Sequence, residues 1–499
     1  MQTLTTSEPF SLAKVIERVK GIMPRRIRSS IRWTLDSFTA GVQASQRQWR
    51  IATFLPRLRW RDAQAYDTLM RSDLPAGLRR IVFTRLATEA AWRAWPDAKL
   101  TAKMTADVLF VSYRAHPDLV KQCIALKREI PGLRCALVVE NHAHTERLCR
   151  QWFDDVVVFG KLEEPRLLEY LRQSDAKVVI LRYRGVLLNL LARVFRRGPL
   201  IYSPPGYYLS SRSDDYNELA DREMTFPEIL EADKYLLERV QGVVHFLSDA
   251  AFDWFREKAV NLRCPAATIY VACLPELEPH TTLPKLSEKD GEWHLVHATG
   301  VPPITDSSTA NAGSNAILPL WKCEQVVSQG VHLHVYGTYF DRRARGYAPY
   351  VELEQRSSYF HLENLLEFDD LLTAMTQYDY AWKHWDMSDV ELWPAFRKYL
   401  TPNFHAYVQS GLPMLMSPMG PALEVEMTQK FGVGVLVAEP ELPRLKEILD
   451  GHRKELPEMR RRVEETKNTV FSYDTKALLN VVGPYLQSGP RDSHANKAV

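Results

Sequence analysis

From residue 105 onward, short apolar runs alternate with segments whose apolar residues recur every three to four positions, the pattern of a parallel sheet covered by helices. DVLFVSYR (107–114) reads as a strand, PDLVKQCIALKREIP (117–131) as a helix and RCALVVE (134–140) as a second strand. DDVVVFG (154–160), AKVVILR (176–182), PLIYSPPG (199–206), GVVHFLS (242–248) and AATIYVA (266–272) continue the strands, with helical spacing up to about residue 172, over 185–196 and on both sides of 242–248. The segment 273–292, CLPELEPHTTLPKLSEKDGE, is rich in Pro and charge and has no period, which suits a hinge. A second array follows it. WHLVHATG (293–300), VHLHVYG (331–337), YFHLENL (359–365), YDYAWKH (378–384), LPMLMSP (412–418) and VGVLVAE (433–439) are its strands, with helices near 315–329, over 368–375, through HAYVQSG and over ALEVEMTQKFG. Residues 441–486 are helical in pattern, and the tail QSGPRDSHANKAV is polar and expected to be disordered.

Upstream of residue 105 the texture differs. Val15, Ile16, Val19, Ile22 and Met23, then Ile27, Ile31, Leu35, Phe38 and Val42, recur at helical spacing among basic residues, and Trp33, Trp49, Trp60, Trp92 and Trp95 add amphipathic rings. Residues 1–105 hold nineteen Lys or Arg against eight Asp or Glu, a local +11 within a chain whose net charge is only +3. Two readings fit: a helical extension that packs its apolar stripes on the main body, and a segment that lies on an anionic membrane surface. Nucleic acid is a poorer match, because no base-reading motif accompanies the charge and the rest of the chain is acidic.

A chain of 499 residues exceeds one ordinary core. The expected organisation is a basic helical extension (1–105), a first Rossmann-like domain (106–275), a linker (276–292), a second Rossmann-like domain (293–450), helices packing back (451–486) and the tail (487–499). The 45% hydrophobic and 25% charged content is that of a globular protein, and no apolar run reaches the roughly 18 residues of a membrane span. The six cysteines (Cys123, Cys135, Cys149, Cys264, Cys273 and Cys323) lie far apart without a Cys-x-x-Cys, which argues against a metal site and for a reducing compartment. The start, MQTLTTSEPF, does not read as a secretory signal, so the expectation is a cytoplasmic protein, peripheral at the inner membrane surface on the membrane reading of residues 1–105.

Two stretches carry a family resemblance. LLERVQGVVHFLSDAAFDWFREK followed by AATIYVAC, and TPNFHAYVQSGLPMLMSPMGPALEVEMTQKFGVGVLV, resemble GT-B glycosyltransferases, the second matching the donor-domain pattern of the family 4-like and group 1 enzymes. In that pattern a helix ends in small-Gly-x-Pro, a strand follows, and a Glu precedes a helix leading to Gly-x-Gly-x-x-Val. The resemblance spans most of 105–475. It implies an α/β fold of two doubly wound Rossmann-like domains facing across a cleft, a nucleotide-sugar co-substrate in the second domain, an acceptor in the first, and no required metal or other cofactor. The sequence departs from the retaining enzymes: alignment on Gly411 puts Arg397 and His405 where they carry a Glu-x7-Glu pair, and Asn403 where some carry a lysine.

Glycosyl transfer needs donors for a departing diphosphate, polar groups for ribose and sugar and, in inverting enzymes, a base for the acceptor proton. Gly300 and Gly337 end strands where backbone N–H groups can approach phosphate, or serve as turn glycines, with Arg342, Arg343 and Arg345 beyond the second. Lys383 and His384 leave a strand where a cation can neutralise the leaving group. Trp382, Trp385 and Trp393 are core rings or stacking platforms. Asn403 and His405 are donor-site candidates or helix-capping positions. Glu424 opens a helix either to bind sugar hydroxyls or to complement the helix dipole. In the first domain, His116 with Asp118 is the catalytic candidate, the simpler alternative being that Asp118 caps its helix. Ser203 to Gly206 is a rigid, glycine-ended loop, either an acceptor-site wall or an ordinary tight loop. The expected activity is transfer of a sugar from a nucleotide-sugar to a carbohydrate or lipid-linked acceptor, as in polysaccharide assembly. The alternatives are a nucleotide-sugar epimerase on the same fold and a catalytically degenerate scaffold that only binds a sugar nucleotide.

Overall fold

The computed structural model describes residues 45, 48–60, 62–87, 105–141, 144–159, 170–172, 174–182, 186–196, 198–203, 226–245, 262–269, 272–298, 301, 318–337, 345–385 and 400–487. After a helical segment at 48–60 come α1 (Ala63–Met70) and α2 (Ala76–Leu86). The first array is β1 (Val108–Arg114), α3 (Pro117–Glu129), β2 (Cys135–Asn141), α4 (Glu146–Trp152), β3 (Asp155–Val158), β4 (Val178–Arg182), α5 (Val186–Phe195), β5 (Leu200–Ser203), α6 (Phe226–Leu237), β6 (Gly242–His245) and β7 (Ala266–Thr268). Its seven strands pair in parallel in the order β3-β2-β1-β4-β5-β6-β7.

Burial on both faces explains why these strands read as unbroken apolar runs rather than alternating ones. Leu109, Val111, Val179 and Leu181 face a core shared with α5, α6 and the N-terminal helices, whereas Val108, Phe110, Val178 and Ile180 face α3 and α4. The N-terminal segment therefore covers one face of this sheet: Phe54, Leu58, Leu69, Leu78 and Val82 are buried there. The stripe from Val15 to Val42, with Trp33, Trp92 and Trp95, lies outside the described residues. Trp49 and Trp60 remain 70% and 89% exposed.

The second array consists of the short α7 (Ser287–Asp290), β8 (Trp293–His297), α8 (Leu320–Val327), β9 (Val331–Tyr336), α9 (Ala348–Arg356), β10 (Phe360–Glu363), α10 (Phe368–Met375), β11 (Tyr380–Lys383), α11 (Pro402–Gln409), β12 (Met414–Met416), α12 (Ala422–Phe431) and β13 (Gly434–Leu436). The strands are again all parallel, in the order β10-β9-β8-β11-β12-β13. Two glycines have steric reasons. Gly411 follows α11 with φ of +69°, the left-handed turn that ends a helix, and a Cβ on Gly434 would collide with the Met414 backbone where β13 approaches β12.

α13 (Leu445–His452), α14 (Leu456–Lys467) and α15 (Thr475–Gln487) close the chain, and α15 crosses back onto α3, β4, β6 and β7 of the first array. The two halves share one core: Val296, Ala381, Phe404, Tyr407 and Met416 cluster with Phe110, Leu119 and Ile180. Gln409 bonds both the N–H and the C=O of Leu274, and Arg147 of α4 forms an ion pair with Asp369 and Asp370 of α10 at 2.6 and 2.8 Å. No helix among the described residues is long and apolar enough to cross a membrane.

Candidate functional site

In each sheet the strand order reverses at one place, between β1 and β4 in the first and between β8 and β11 in the second. Ligands of open parallel sheets bind in the crevice beyond the carboxyl ends of the strands at such a point. Several buried polar side chains gather there.

In the first domain the loop after β1 leads into α3. His116 is the N-cap residue, in extended conformation and with no capping bond from its side chain; Pro117 sets the first turn and Asp118 follows in it. The His116 ring instead pairs with Asp118, Nδ1 lying 3.0 Å from Oδ2, with the imidazole 46% exposed and the carboxylate buried. Asp118 also pairs with the guanidinium of Arg182, the last residue of β4. Burial alone would raise the Asp118 carboxyl, but Arg182, His116 and Lys121 outweigh it and hold the group far below the usual carboxylate range. Lys121, one turn further along α3, donates to the Ala272 carbonyl at 2.7 Å. Ser203 ends β5 fully buried, and its hydroxyl has no partner among the described residues.

In the second domain Lys383 ends β11 and Glu424 sits in the first turn of α12. Lys383 Nζ lies 2.9 Å from Glu424 Oε2, at an angle that makes the contact an ion pair rather than an aligned hydrogen bond. The other carboxylate oxygen accepts the Thr401 N–H at 2.6 Å, and Thr401 in turn caps α11. One buried carboxylate thus ties together the end of β11, the start of α11 and the start of α12. Lys383 also lies 6.0 Å from the Trp385 ring.

His405 of α11 is completely buried, and neither ring nitrogen has a partner among the described residues. Burial, with Lys121 of one domain and Lys383 of the other nearby, pushes its proton affinity well below the ordinary imidazole value, opposed by Asp118. It is therefore neutral, with one donor and one acceptor to offer. His297, at the end of β8, donates from Nδ1 to the Trp382 carbonyl, 3.1 Å away, while its Nε2 has no partner among the described residues; burial first, and then Lys383, lowers it to about 4.

The structure thus brings His116, Asp118, Lys383, His405 and Glu424 to the carboxyl ends of two facing sheets, and places Asn403 half-buried beside Thr401 at the start of α11. His384 turns away from them: its Nε2 meets the Val437 carbonyl at 2.8 Å and its Nδ1 lies 3.4 Å from Lys322. Gly337 directly follows β9. Trp382 is a core ring. Gly206, Gly300, Arg342, Arg343, Trp393 and Arg397 lie outside the described residues, as does the proposed tail beyond residue 487. Sequence reading missed Arg182, Lys121 and His297. A charge closing the apolar run VVILR was the available signal for Arg182; nothing in the helical pattern marked Lys121, which becomes buried only when the far end of the first domain folds over it.

No family model and no curated protein matches the chain. Solved structures do. Anabaena HepE in complex with UDP-glucose is similar at 14% identity over 76% of this chain and 99% of that one, with a TM-score of 0.52. HepE in complex with UDP and glucose gives 14% identity, 77% and 100% coverage, and a TM-score of 0.50. Sucrose-phosphate synthase from Thermosynechococcus elongatus follows at 12% identity, 75% and 97% coverage, and 0.49. At these identities the similarity is one of fold: two Rossmann-like domains set face to face, the GT-B architecture.

Proposed function

We propose that the protein is a glycosyltransferase that moves a sugar from a nucleotide-sugar, bound at the second domain, to an acceptor entering from the first. The observation that carries this reading is His405, a fully buried neutral imidazole with two unpartnered nitrogens between Lys121 and Asp118 on one side and Lys383 on the other. A buried polar ring without partners is costly unless a ligand satisfies it. Lys383 supplies the positive charge a departing diphosphate needs, with Glu424 holding its ammonium in place. His116 is the base: Asp118 fixes the proton on Nδ1, which leaves Nε2 to accept the acceptor hydroxyl's proton, while Arg182 keeps Asp118 ionised. Asn403, Gly337 and Gly300 complete the donor side in this reading, and Ser203 and Gly206 the acceptor wall. His384 acts only by supporting the β11 loop. In this reading Lys383 supplies the charge stabilisation of the departing diphosphate, and no metal ion is invoked for the transfer.

The acceptor in this reading is a carbohydrate chain, lipid-linked during polysaccharide assembly. Exposed Trp49 and Trp60 lie on the face of the 48–60 helix opposite Phe54 and Leu58, with exposed Arg50, Arg57 and Arg59 flanking them, which is the composition that settles at an anionic lipid surface.

Titration calorimetry of the full chain with UDP-, GDP- and CMP-sugars, followed by product analysis with and without oligosaccharide acceptors, tests the activity. Transfer that disappears in His116→Ala while donor binding persists is the expected result. Donor turnover that ignores acceptors would replace transferase by epimerase or hydrolase, and binding without any turnover would leave a scaffold. Flotation with phosphatidylglycerol vesicles tests the surface: Trp49→Ser/Trp60→Ser should lower recovery, and equal recovery would remove the membrane claim.

A further inference from the structure

Four histidines occupy one face of the second sheet near the amino ends of its strands, remote from the carboxyl ends where the candidate donor site lies. The pairing register explains how they meet: His294 of β8 is opposite His332 of β9, and His334 of β9 is opposite His361 of β10. Residues two apart on a strand share a face, so His332 and His334 bring the two pairs together. The His294 and His332 rings stack at 4.2 Å, 3° from parallel, and His334 and His361 stack at 4.2 Å. One nitrogen from each of His294, His332 and His334 lies within 4.8 Å of those of the other two.

Carboxylates fix which nitrogens are available. Asp290 lies 3.0 Å from His294 Nε2, Glu292 2.7 Å from His332 Nε2 and Glu363 2.7 Å from His334 Nδ1. A carboxylate only accepts, so each neutral ring spends its single N–H on its own acid. That leaves lone pairs on His294 Nδ1, His332 Nδ1 and His334 Nε2. His294 Nδ1 and His334 Nε2 then face each other at 3.1 Å with no proton between them, and His332 Nδ1 is 2.9 Å from His361 Nε2. Two lone pairs this close repel unless a proton or a metal cation sits between them. In a tetrahedral zinc site, with Zn–N of 2.0–2.1 Å, neighbouring ligand nitrogens are about 3.3 Å apart, close to both distances. A carboxylate on the distal nitrogen of each ligand is the usual support for metal-binding histidine, and three acids around three neutral rings supply the compensating charge.

We propose that His294, His332 and His334, with His361 as fourth donor, form a structural site for a divalent transition-metal ion of the zinc type, clamping β8, β9 and β10 together. Asp290, Glu292 and Glu363 are its orienting residues. The side chains of all three acids are partly exposed, between 31% and 43%, which gives the ion a route from solvent. Cysteine spacing could not reveal this site, because its ligands come from three strands.

The full chain, stripped with chelator, is titrated with Co²⁺ and then with Zn²⁺. The expected result is one equivalent of Co²⁺ with the intense visible ligand-field bands of a four-coordinate site, displaced by one Zn²⁺, and a higher melting temperature with Zn²⁺. His332→Ala and His334→Ala should lose the bands. Glu363→Gln, at the rim and compatible with folding, should weaken Zn²⁺ binding about 10- to 100-fold. UDP-sugar binding should survive in Glu363→Gln, which separates this proposal from the transferase reading. Weak pale bands, no stoichiometric uptake, or unchanged affinity in Glu363→Gln and His332→Ala would overturn it.

Discussion

Removing the Arg182 guanidinium should expose how the first domain holds its buried Asp118 carboxylate. Arg182→Met keeps most of the stem and deletes the charge, leaving Asp118 at 1% exposure with His116 as its partner and one carboxylate oxygen, Oδ1, already without a bond. Opposite charges about 4 Å apart attract by roughly 4 kcal/mol at the effective dielectric of protein sites, and breaking a buried pair from one side costs about 3–5 kcal/mol because the remaining charge is stranded. With a urea dependence of about 3 kcal/mol per molar for a domain of this size, the midpoint of the transition that includes the first sheet should fall by about 1–1.7 M at pH 7. The double variant Asp118→Asn/Arg182→Met should recover much of that loss, since it strands no charge.

The pH dependence has a definite sign. The folded-state pKa of Asp118 is depressed, so its stabilisation is fully present above the unfolded value near about 3.9 and drains away as pH falls below it. The gap between wild type and Arg182→Met should therefore narrow on acidification. Urea melts from pH 7 to pH 3, read by tryptophan fluorescence and circular dichroism, measure both effects. A double variant whose loss is the sum of the two single losses, or a gap that stays constant with pH, would refute the buried-pair reasoning.

Three further outcomes follow from the same geometry. Glu424→Gln strands Lys383 and slackens the Thr401 tie, so thermal melting should show a loss of about 3–5 kcal/mol and donor affinity should fall with it; Glu424→Asp should do less harm to the charge than to the reach. Lys285, held at about 8 by burial and then by Arg460, loses its proton in the folded chain before the unfolded one does, so stability should rise with pH between about 8 and 10 relative to Lys285→Met, as chemical denaturation at stepped pH would show. Gly434→Ala places a methyl group against the Met414 backbone and should separate β12 from β13, lowering the melting temperature, whereas Gly451→Ala, with open space around it inside α13, should raise it slightly.

The sheet architecture was legible because parallel strands buried on both faces leave long apolar runs between helix-period segments; VVILR, WHLVH and VHLHVY stand almost where the runs put them. Gly411 and Gly434 were legible as a motif, and the left-handed turn and the close strand approach supply its reasons. His116 and Asp118 were legible because their partnership is local, two residues apart at a helix start. What the sequence could not show is anything built from distant segments. Arg182 lies 64 positions from Asp118, Glu424 lies 41 from Lys383, and the four histidines span three strands. The basic N-terminal region left two readings open because amphipathic spacing gives a stripe but not what covers it; Phe54, Leu58 and Leu78 now have a cover, and Trp49 and Trp60 do not.

The most direct test of the account is calorimetric titration of the full chain with UDP-glucose, wild type against Lys383→Met and His405→Phe, each checked by circular dichroism for an intact fold. The account predicts saturable one-to-one binding by wild type, at least tenfold weaker in both variants. No binding of any nucleotide-sugar by wild type, or affinity unchanged in both folded variants, would contradict it.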